Sequence, residues 1–141
     1  MGAELFLIMD KLIKSIKKAR FIWVCGNGGS ASTAEHFTAD LIKKGYPAIC
    51  LNSNISMMTM IANDYGYENV FSKQLSIYGT KDDLLVTISC SGNSLNIIKA
   101  IEKAFSYDMA IYGFETFSRN RDYGKLEDKH LKFVHQVAKA L

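Results

Sequence analysis

Two short segments of glycine, serine and asparagine carry the side chains that point most directly to a bound ligand. Segment 26–30 (Gly-Asn-Gly-Gly-Ser) follows the apolar run 21–25, and segment 89–94 (Ser-Cys-Ser-Gly-Asn-Ser) follows the apolar run 84–88. Glycines let the backbone turn sharply and approach a ligand closely. Hydroxyl groups and the free N–H groups of a following helix suit a phosphate monoester or a sugar oxygen. Each segment alone is equally typical of a plain turn with a serine cap, whereas two at neighbouring strand ends favour one shared crevice.

The spacing of these residues excludes the common nucleotide-binding loops. Segment 26–30 has no Lys-Ser or Lys-Thr pair after it, so it is not a Walker loop. It also lacks the Gly-x-Gly-x-x-Gly spacing, and no acidic residue follows the next apolar run, as a dinucleotide site requires. We therefore expect no nucleotide cofactor.

A few ionisable residues could transfer protons or bind a metal ion. His36 and Asp40 are four residues apart in a helical segment, so both side chains lie on one face of that helix. Glu127 and His135 lie near the carboxyl end, about 80° apart on a helical projection of ~100° per residue, and Asp128 is nearer to the direction of His135. Imidazoles and carboxylates serve as acids, bases and zinc ligands. Without further support, His36 and Asp40 could equally be an ordinary helix pair.

The elements that must position these residues alternate between helix and strand. Apolar residues at helical spacing predict helices over 3–19, 30–44, 55–62, 68–78, 94–105 and 125–141. Continuous apolar runs predict strands buried on both faces over 21–25, 47–51, 84–88 and 109–112. This alternation predicts a three-layer α/β/α fold with a parallel sheet of about four strands, in a single domain covering 1–141. A ligand then binds beyond the carboxyl ends of the strands. Core positions are expected for Phe21, Trp23, Phe37, Phe71 and Phe105, and a surface or packing position for His130.

Five blocks, taken in order, resemble the sugar isomerase (SIS) superfamily. They are segment 26–30, His-Phe at 36–37, Asn-Asp-Tyr-Gly at 63–66, segment 89–94, and His-Leu-Lys-Phe-Val-His at 130–135. Within the superfamily the blocks are similar to those of the phosphoheptose isomerases. The resemblance implies a flavodoxin-like sheet and a homotetramer. It also implies ketose–aldose isomerisation of sedoheptulose 7-phosphate to D-glycero-D-manno-heptose 7-phosphate. Such a reaction needs a base beside the carbonyl and an acid that protonates the enediolate oxygen.

The resemblance also implies roles for particular residues. The phosphate would be bound by Ser89, Ser91 and Ser94, with Cys90 standing where the family has threonine. The sugar site would be lined by Asn27, Gly28, Ser30 and Asp64. Protons would be exchanged with the substrate by Asp40 and His135. The acid–base and metal cluster would consist of His36, Asp40, Glu127 and His135, and zinc is the expected metal because some family members bind it.

The chain departs from the family pattern in its charges and at both ends. Asp40 stands where the family has glutamate, and Glu127 where it has glutamine, so together they would strengthen a cation site or shift its acid–base balance. The first helix is shorter, and the usual fifth strand is missing between Gly113 and the last helix. Segment 114–124 is too polar for a buried strand, so we expect a loop near the site, carrying Arg119, Arg121 and Tyr123. The alternative hypothesis is a non-catalytic SIS module that binds a phosphosugar or a protein partner, since some relatives act through replication-initiation proteins.

Composition and charge indicate which partners and which cellular location to expect. The 141 residues carry 17 Lys and Arg against 14 Asp and Glu, a net charge of +3, and no basic stripe, so a nucleic-acid partner is not expected. The three cysteines form no CxxC pair and are expected to be reduced thiols. No apolar stretch approaches the ~20 residues of a membrane helix, and the amino terminus lacks a signal-peptide pattern. These features favour a cytoplasmic protein without a membrane partner.

Overall fold

The computed structural model describes residues 2–114 and 122–141, which form one parallel sheet between two layers of helices. The strands are β1 (Ile22–Gly26), β2 (Ala48–Cys50), β3 (Leu84–Ile88) and β4 (Ala110–Phe114). The helices are α1 (Ala3–Lys18), α2 (Gly29–Lys43), α3 (Ile55–Tyr65), α4 (Ser72–Tyr78), α5 (Leu95–Ser106) and α6 (Tyr123–Ala140), with a 3₁₀ turn at Tyr67–Asn69. The strand order is β2-β1-β3-β4, and every pair is parallel. The predicted three-layer fold with four strands is confirmed for the described residues.

Alternation along the central strands builds two separate cores. Ile22 and Val24 of β1 face a core formed with α1, α2 and α6, whereas Trp23 and Cys25 face a core formed with α3, α4 and α5. All five residues of β1 and of β3 are buried. Strands covered on both faces need apolar side chains in succession, and this explains why they appear as continuous apolar runs.

Several boundaries differ from the predicted ones for local reasons. Helix α3 continues through Asn63–Tyr65 and ends at Gly66, whose φ of 91° suits glycine. Helix α6 begins at Tyr123 because Asp122 caps it by accepting a hydrogen bond from the Lys125 backbone N–H. The expectation that Tyr123 lies in a loop was therefore wrong.

The positions predicted for two aromatic side chains were also wrong. Phe105 was expected in the core but is 77% exposed, because it lies on the outer face of α5. Phe114 was assigned to the polar segment, yet it ends β4 and is buried against Phe133 and His130. The cysteines Cys25, Cys50 and Cys90 are free thiols, as expected. None of the helices among the described residues is both long and apolar enough to cross a lipid bilayer.

A buried carboxylate, that of Asp83, stabilises the end of the sheet at which β1 and β3 begin. Asp83 is 2% exposed and accepts hydrogen bonds from Arg20 Nε at 2.9 Å and from Trp23 Nε1 at 3.0 Å. The backbone N–H groups of Phe21 and Thr80 complete its partners. Burial by itself raises the pKa of Asp83, but the hydrogen bonds from Trp23, Arg20 and Thr80 outweigh it and hold the pKa below its ordinary value.

Candidate functional site

Segments 26–30 and 89–94 meet at the carboxyl edge of the sheet and line one cavity of about 280 Å³. The close approach of the backbone around the first segment depends on Gly26. A Cβ added there would lie 2.6 Å from the Ser30 carbonyl oxygen and 2.9 Å from the Ile88 carbonyl oxygen. Gly28 has a φ of 56°, in the left-handed region that favours glycine. The lining residues are Asn27, Gly28, Gly29, Ser30, Ile88, Ser89, Cys90, Ser91, Ser94, Tyr123 and Glu127.

The cavity offers hydroxyl groups and two helix amino termini. Helix α2 begins at Gly29 and α5 at Leu95, so the positive ends of both helix dipoles lie beside the lining residues. Ser89 Oγ accepts from the Gly92 backbone N–H at 3.0 Å, and Ser91 Oγ accepts from that of Asn93 at 3.2 Å. These bonds order the second segment and leave each hydroxyl able to donate to a ligand. The arrangement can hold a phosphate group without a lysine.

Cys90 contributes a neutral thiol to this cavity. Its Sγ lies 3.7 Å from Ser30 Oγ and 4.0 Å from Nδ1 of His130. Burial raises the pKa of the Cys90 thiol and the negative charge of Glu127 adds to this, while the Ser30 hydrogen bond opposes both. The thiol is therefore protonated at neutral pH and suits hydrogen bonding better than nucleophilic attack.

Three residues that sequence reasoning did not single out hold segment 26–30 in place. Asn96, 3% exposed, exchanges two hydrogen bonds of 2.8 Å with the side chain of Asn27. Tyr67 donates its hydroxyl to Asn27 Oδ1 at 3.1 Å. Asn52 bonds both backbone groups of Gly26, accepting from its N–H at 3.2 Å and donating to its carbonyl at 2.7 Å. Asn27 thus joins the first segment to α5, the helix that follows the second.

A second group of ionisable side chains lies where α2 packs against α6. The Nε2 atoms of His36 and His135 are 2.9 Å apart, and Asp40 Oδ2 is 3.4 Å from His36 Nε2. One ligand atom from each of the three residues falls within 4.8 Å of the others. Ligand atoms at ~2.0–2.1 Å from a tetrahedral zinc are roughly 3.3 Å apart, and the two contacts of 2.9 Å and 3.4 Å are close to that value. A fourth position would remain for a substrate oxygen.

Glu127 lies apart from that group. An added Cβ at Gly29 would overlap the Glu127 carboxyl group, so this side chain lies against the amino terminus of α2 and lines the cavity. Because Glu127 adjoins Gly29 and His135 adjoins His36, α2 and α6 run side by side in the same direction. The metal-competent group among the described residues consists of His36, Asp40 and His135 without Glu127.

A comparison of the sequence with family profiles identifies the family. The sequence profile of the SIS domain matches residues 4–116. The chain belongs to the SIS domain family.

Curated relatives and solved structures agree with this membership. A phosphoheptose isomerase from Helicobacter pylori (strain ATCC 700392 / 26695) is 47% identical over 122 residues, covering 82% of this chain and 62% of the relative. One from Colwellia psychrerythraea is 52% identical over 99 residues, covering 66% of this chain and 50% of the relative. This SIS chain thus spans less than two thirds of the length of these relatives.

Two solved structures share the fold closely. The phosphoheptose isomerase of Neisseria gonorrhoeae matches with a TM-score of 0.88 and 29% identity, over 98% of this chain and 85% of that one. The phosphoheptose isomerase of Francisella tularensis matches with a TM-score of 0.86 and 26% identity, over 96% and 84%. The similarity of these SIS structures extends over nearly all of the chain.

The remaining site predictions for this SIS domain fall in different places. Asp64 lies exposed on α3, accepts a hydrogen bond from Asn63 Nδ2 at 2.9 Å, and is not among the residues that line the cavity. His130 is buried against the Phe114 ring, and burial lowers its pKa, as befits a packing residue. Tyr123 lines the cavity from the first turn of α6. Arg119 and Arg121 lie outside the described residues.

Proposed function

We propose that this chain isomerises a sugar phosphate between its ketose and aldose forms, with sedoheptulose 7-phosphate as the substrate and D-glycero-D-manno-heptose 7-phosphate as the product. The proposal depends on one observation above all. Helices α2 and α6 line part of a cavity suited to phosphate and also carry a His-Asp-His group suited to acid–base chemistry. The names of the Helicobacter and Neisseria relatives support the same reaction.

The separation of the two groups suits a seven-carbon substrate. Ser30 lines the cavity and His36 follows it by six residues, about 9 Å along α2 at ~1.5 Å per residue. Six C–C bonds of ~1.5 Å place C1 of a heptose roughly 7–8 Å from C7. A phosphate held by Ser89, Ser91 and Ser94 would therefore leave the carbonyl end of the substrate near the His-Asp-His group.

The residues of that group divide the proton transfers between them. The Asp40 carboxylate would take the proton from the carbon beside the carbonyl, and the His135 imidazole would protonate the enediolate oxygen. His36 lies within hydrogen-bond distance of His135 and close to Asp40, so it would orient both. Asn27, Gly28 and Ser30 would contact the sugar, with Asn27 held by Asn96.

The same group would hold a zinc ion through His36, His135 and one oxygen of Asp40, and with the ion bound the second Asp40 oxygen would remain for proton transfer. Bound zinc would polarise the substrate carbonyl as a Lewis acid, which makes the adjacent proton easier to remove. The one-methylene-shorter side chain of Asp40 keeps its carboxylate close to α2, 3.4 Å from His36. Assembly into a homotetramer, implied by the family resemblance, stays a prediction.

Turnover of sedoheptulose 7-phosphate, with and without a chelator, tests the proposal. We expect conversion that a chelator reduces, and a loss of about 10²–10⁴-fold in kcat for Asp40→Asn or His135→Ala, the usual contribution of a positioned acid or base. Asp128→Asn makes the same charge change on the exposed face of α6 and should retain turnover within about twofold, as surface substitutions do. Undiminished turnover in both site variants would refute the assigned roles. Binding without conversion by the unmodified chain would instead favour the non-catalytic SIS module.

A further inference from the structure

A second group of polar side chains lies in a groove on the helical layer formed by α3, α4 and α5. The groove consists of two adjoining hollows of about 330 Å³ and 270 Å³, and we call it the α4–α5 groove. The first hollow is lined by Tyr65, Asn69, Ser72, Lys73, Ser76 and Lys103. The second shares Asn69, Ser72 and Lys103 with the first and adds Lys99. None of these residues lines the cavity formed by segments 26–30 and 89–94, so the groove is a separate feature.

The first hollow is positively charged. Lys73 and Lys103 line it, and no aspartate or glutamate does. Neither lysine forms an ion pair with another residue in the described part of the chain. Lys73 Nζ lies 4.5 Å from the centre of the Tyr65 ring, and Lys103 Nζ lies 5.6 Å from that of the Tyr107 ring. An aromatic face attracts an ammonium group but does not neutralise its charge, so both ammonium groups remain available to an anion.

Ser72 adds a hydroxyl group that has no partner. This residue is 8% exposed and lines both hollows. Its hydroxyl forms no hydrogen bond with the described residues, whereas Ser76 donates its own to the Lys73 carbonyl oxygen at 2.6 Å. No fully buried side-chain oxygen or nitrogen of a described residue lacks a partner, so the accessible part of Ser72 must include its Oγ. The groove thus contains a nearly buried donor that is free to bond a ligand.

We propose that the first hollow binds the phosphate group of a small phosphorylated metabolite. Ser72 would donate its hydroxyl to a phosphate oxygen, and the ammonium groups of Lys73 and Lys103 would neutralise the charge. The uncharged remainder of the ligand would lie along the second hollow, because Glu102 lines that hollow and would repel another anionic group. This site does not depend on the proposed isomerisation, since it shares no residue with the cavity or with the His-Asp-His group.

Calorimetric titration of the full chain with inorganic phosphate and with glycerol 3-phosphate tests the proposal. The background is Ser91→Ala, which removes a hydroxyl from the cavity and so reduces phosphate binding there. In this background Ser72→Ala should weaken the binding of both probes about tenfold or more, because a hydrogen bond to a charged group is lost. Lys73→Gln combined with Lys103→Gln should weaken it about three- to thirtyfold, the range of two partly exposed ion pairs.

Two controls separate these effects from changes in net charge or folding. Lys43→Gln combined with Lys44→Gln removes the same charge from exposed positions outside the groove, and should leave the affinity for both probes within twofold. The urea midpoint of Ser72→Ala should match that of its background, because the substituted hydroxyl has no hydrogen bond to lose.

Loss of affinity in both groove variants, with the lysine control unchanged, would support the site. Affinity within twofold of the background in either groove variant would overturn it, and so would a background that binds neither probe. Tighter binding of glycerol 3-phosphate than of inorganic phosphate would support a phosphate ester as the ligand, and the reverse order would overturn that assignment. Turnover of sedoheptulose 7-phosphate should stay within twofold in the double lysine variant, so a failure of the proposed isomerisation is distinguishable from a failure of this site.

Discussion

The paired amides of Asn27 and Asn96 allow a sharp test of the structure, because they join segment 26–30 to the helix that follows segment 89–94. Each side chain donates to and accepts from the other at 2.8 Å, and Asn96 is 3% exposed. Asn96→Ala removes both hydrogen bonds and leaves the Asn27 amide to Tyr67 and water. Asn27→Ala removes the same two bonds but leaves the Asn96 amide buried without them.

The expected magnitude follows from this geometry. Each hydrogen bond contributes about 0.5–1.5 kcal/mol net, so Asn96→Ala should lower the free energy of unfolding by about 1–3 kcal/mol. Asn27→Ala should cost at least as much, although Asn27 is the more exposed residue, because an unsatisfied buried amide adds a penalty of its own. The double variant should be less destabilised than the sum of the single variants, with a coupling energy of about 1–3 kcal/mol.

Urea denaturation followed by circular dichroism measures all four proteins of this cycle. A shift in the midpoint at constant slope reports a change in stability alone. Asn93→Ala is the matched control, because Asn93 is an exposed asparagine three residues before Asn96 and should change stability by less than about 0.5 kcal/mol. Single-variant effects that add within about 0.5 kcal/mol would show that the two amides do not interact, and would refute the reasoning.

Two further predictions concern Gly26, which precedes the lining residues of the cavity, and Asp83, at the opposite edge of the sheet. Gly26→Ala should weaken sedoheptulose 7-phosphate binding at least tenfold in calorimetry and lower the free energy of unfolding by about 1–3 kcal/mol in urea denaturation. The reason is that its Cβ would collide with two backbone carbonyls. The control Gly2→Ala, which has open space around the added Cβ, should change neither quantity. The hydrogen bonds that hold the pKa of Asp83 below its ordinary value of 3.8 contribute stability that is complete above that pH and is lost as the pH falls through the folded-state pKa. The urea midpoint should therefore fall more steeply below pH 4 in the unmodified chain and in Asp82→Asn than in Asp83→Asn, and parallel curves for all three would contradict the role of Asp83.

Most of the fold could be predicted because strands that are buried on both faces appear in the sequence as continuous apolar runs. The runs that became β1 and β3 are apolar throughout, and each ends where a glycine- or serine-rich turn begins. Phe105 shows the limit of the same reasoning. Phe105 was assigned to the core because it is a hydrophobic residue within an amphipathic helix. In the fold it lies on the outer face of α5 and is 77% exposed.

The candidate site was predictable only where its residues are local in sequence. The two polar segments and the His36–Asp40 pair follow from spacing, since strand ends and helical turns fix them. Asn96 and Tyr67 do not, because their contacts with Asn27 cross 69 and 40 residues of chain. An asparagine in a helix carries no sequence signal that says which distant amide it will face, and that pairing depends on how the helices pack over the sheet.

Helix packing also changes the meaning of the two charge differences from the family. The family resemblance places Asp40 and Glu127 in one cluster, where together they would strengthen a cation site or shift its acid–base balance. In the fold, α2 and α6 run parallel, so Asp40 meets His36 and His135 at one level while Glu127 meets Gly29 about two turns away. Substitutions so far apart are expected to change the free energy of unfolding independently. The shorter carboxylate therefore belongs to the group with His36 and His135, and the added charge belongs to the cavity.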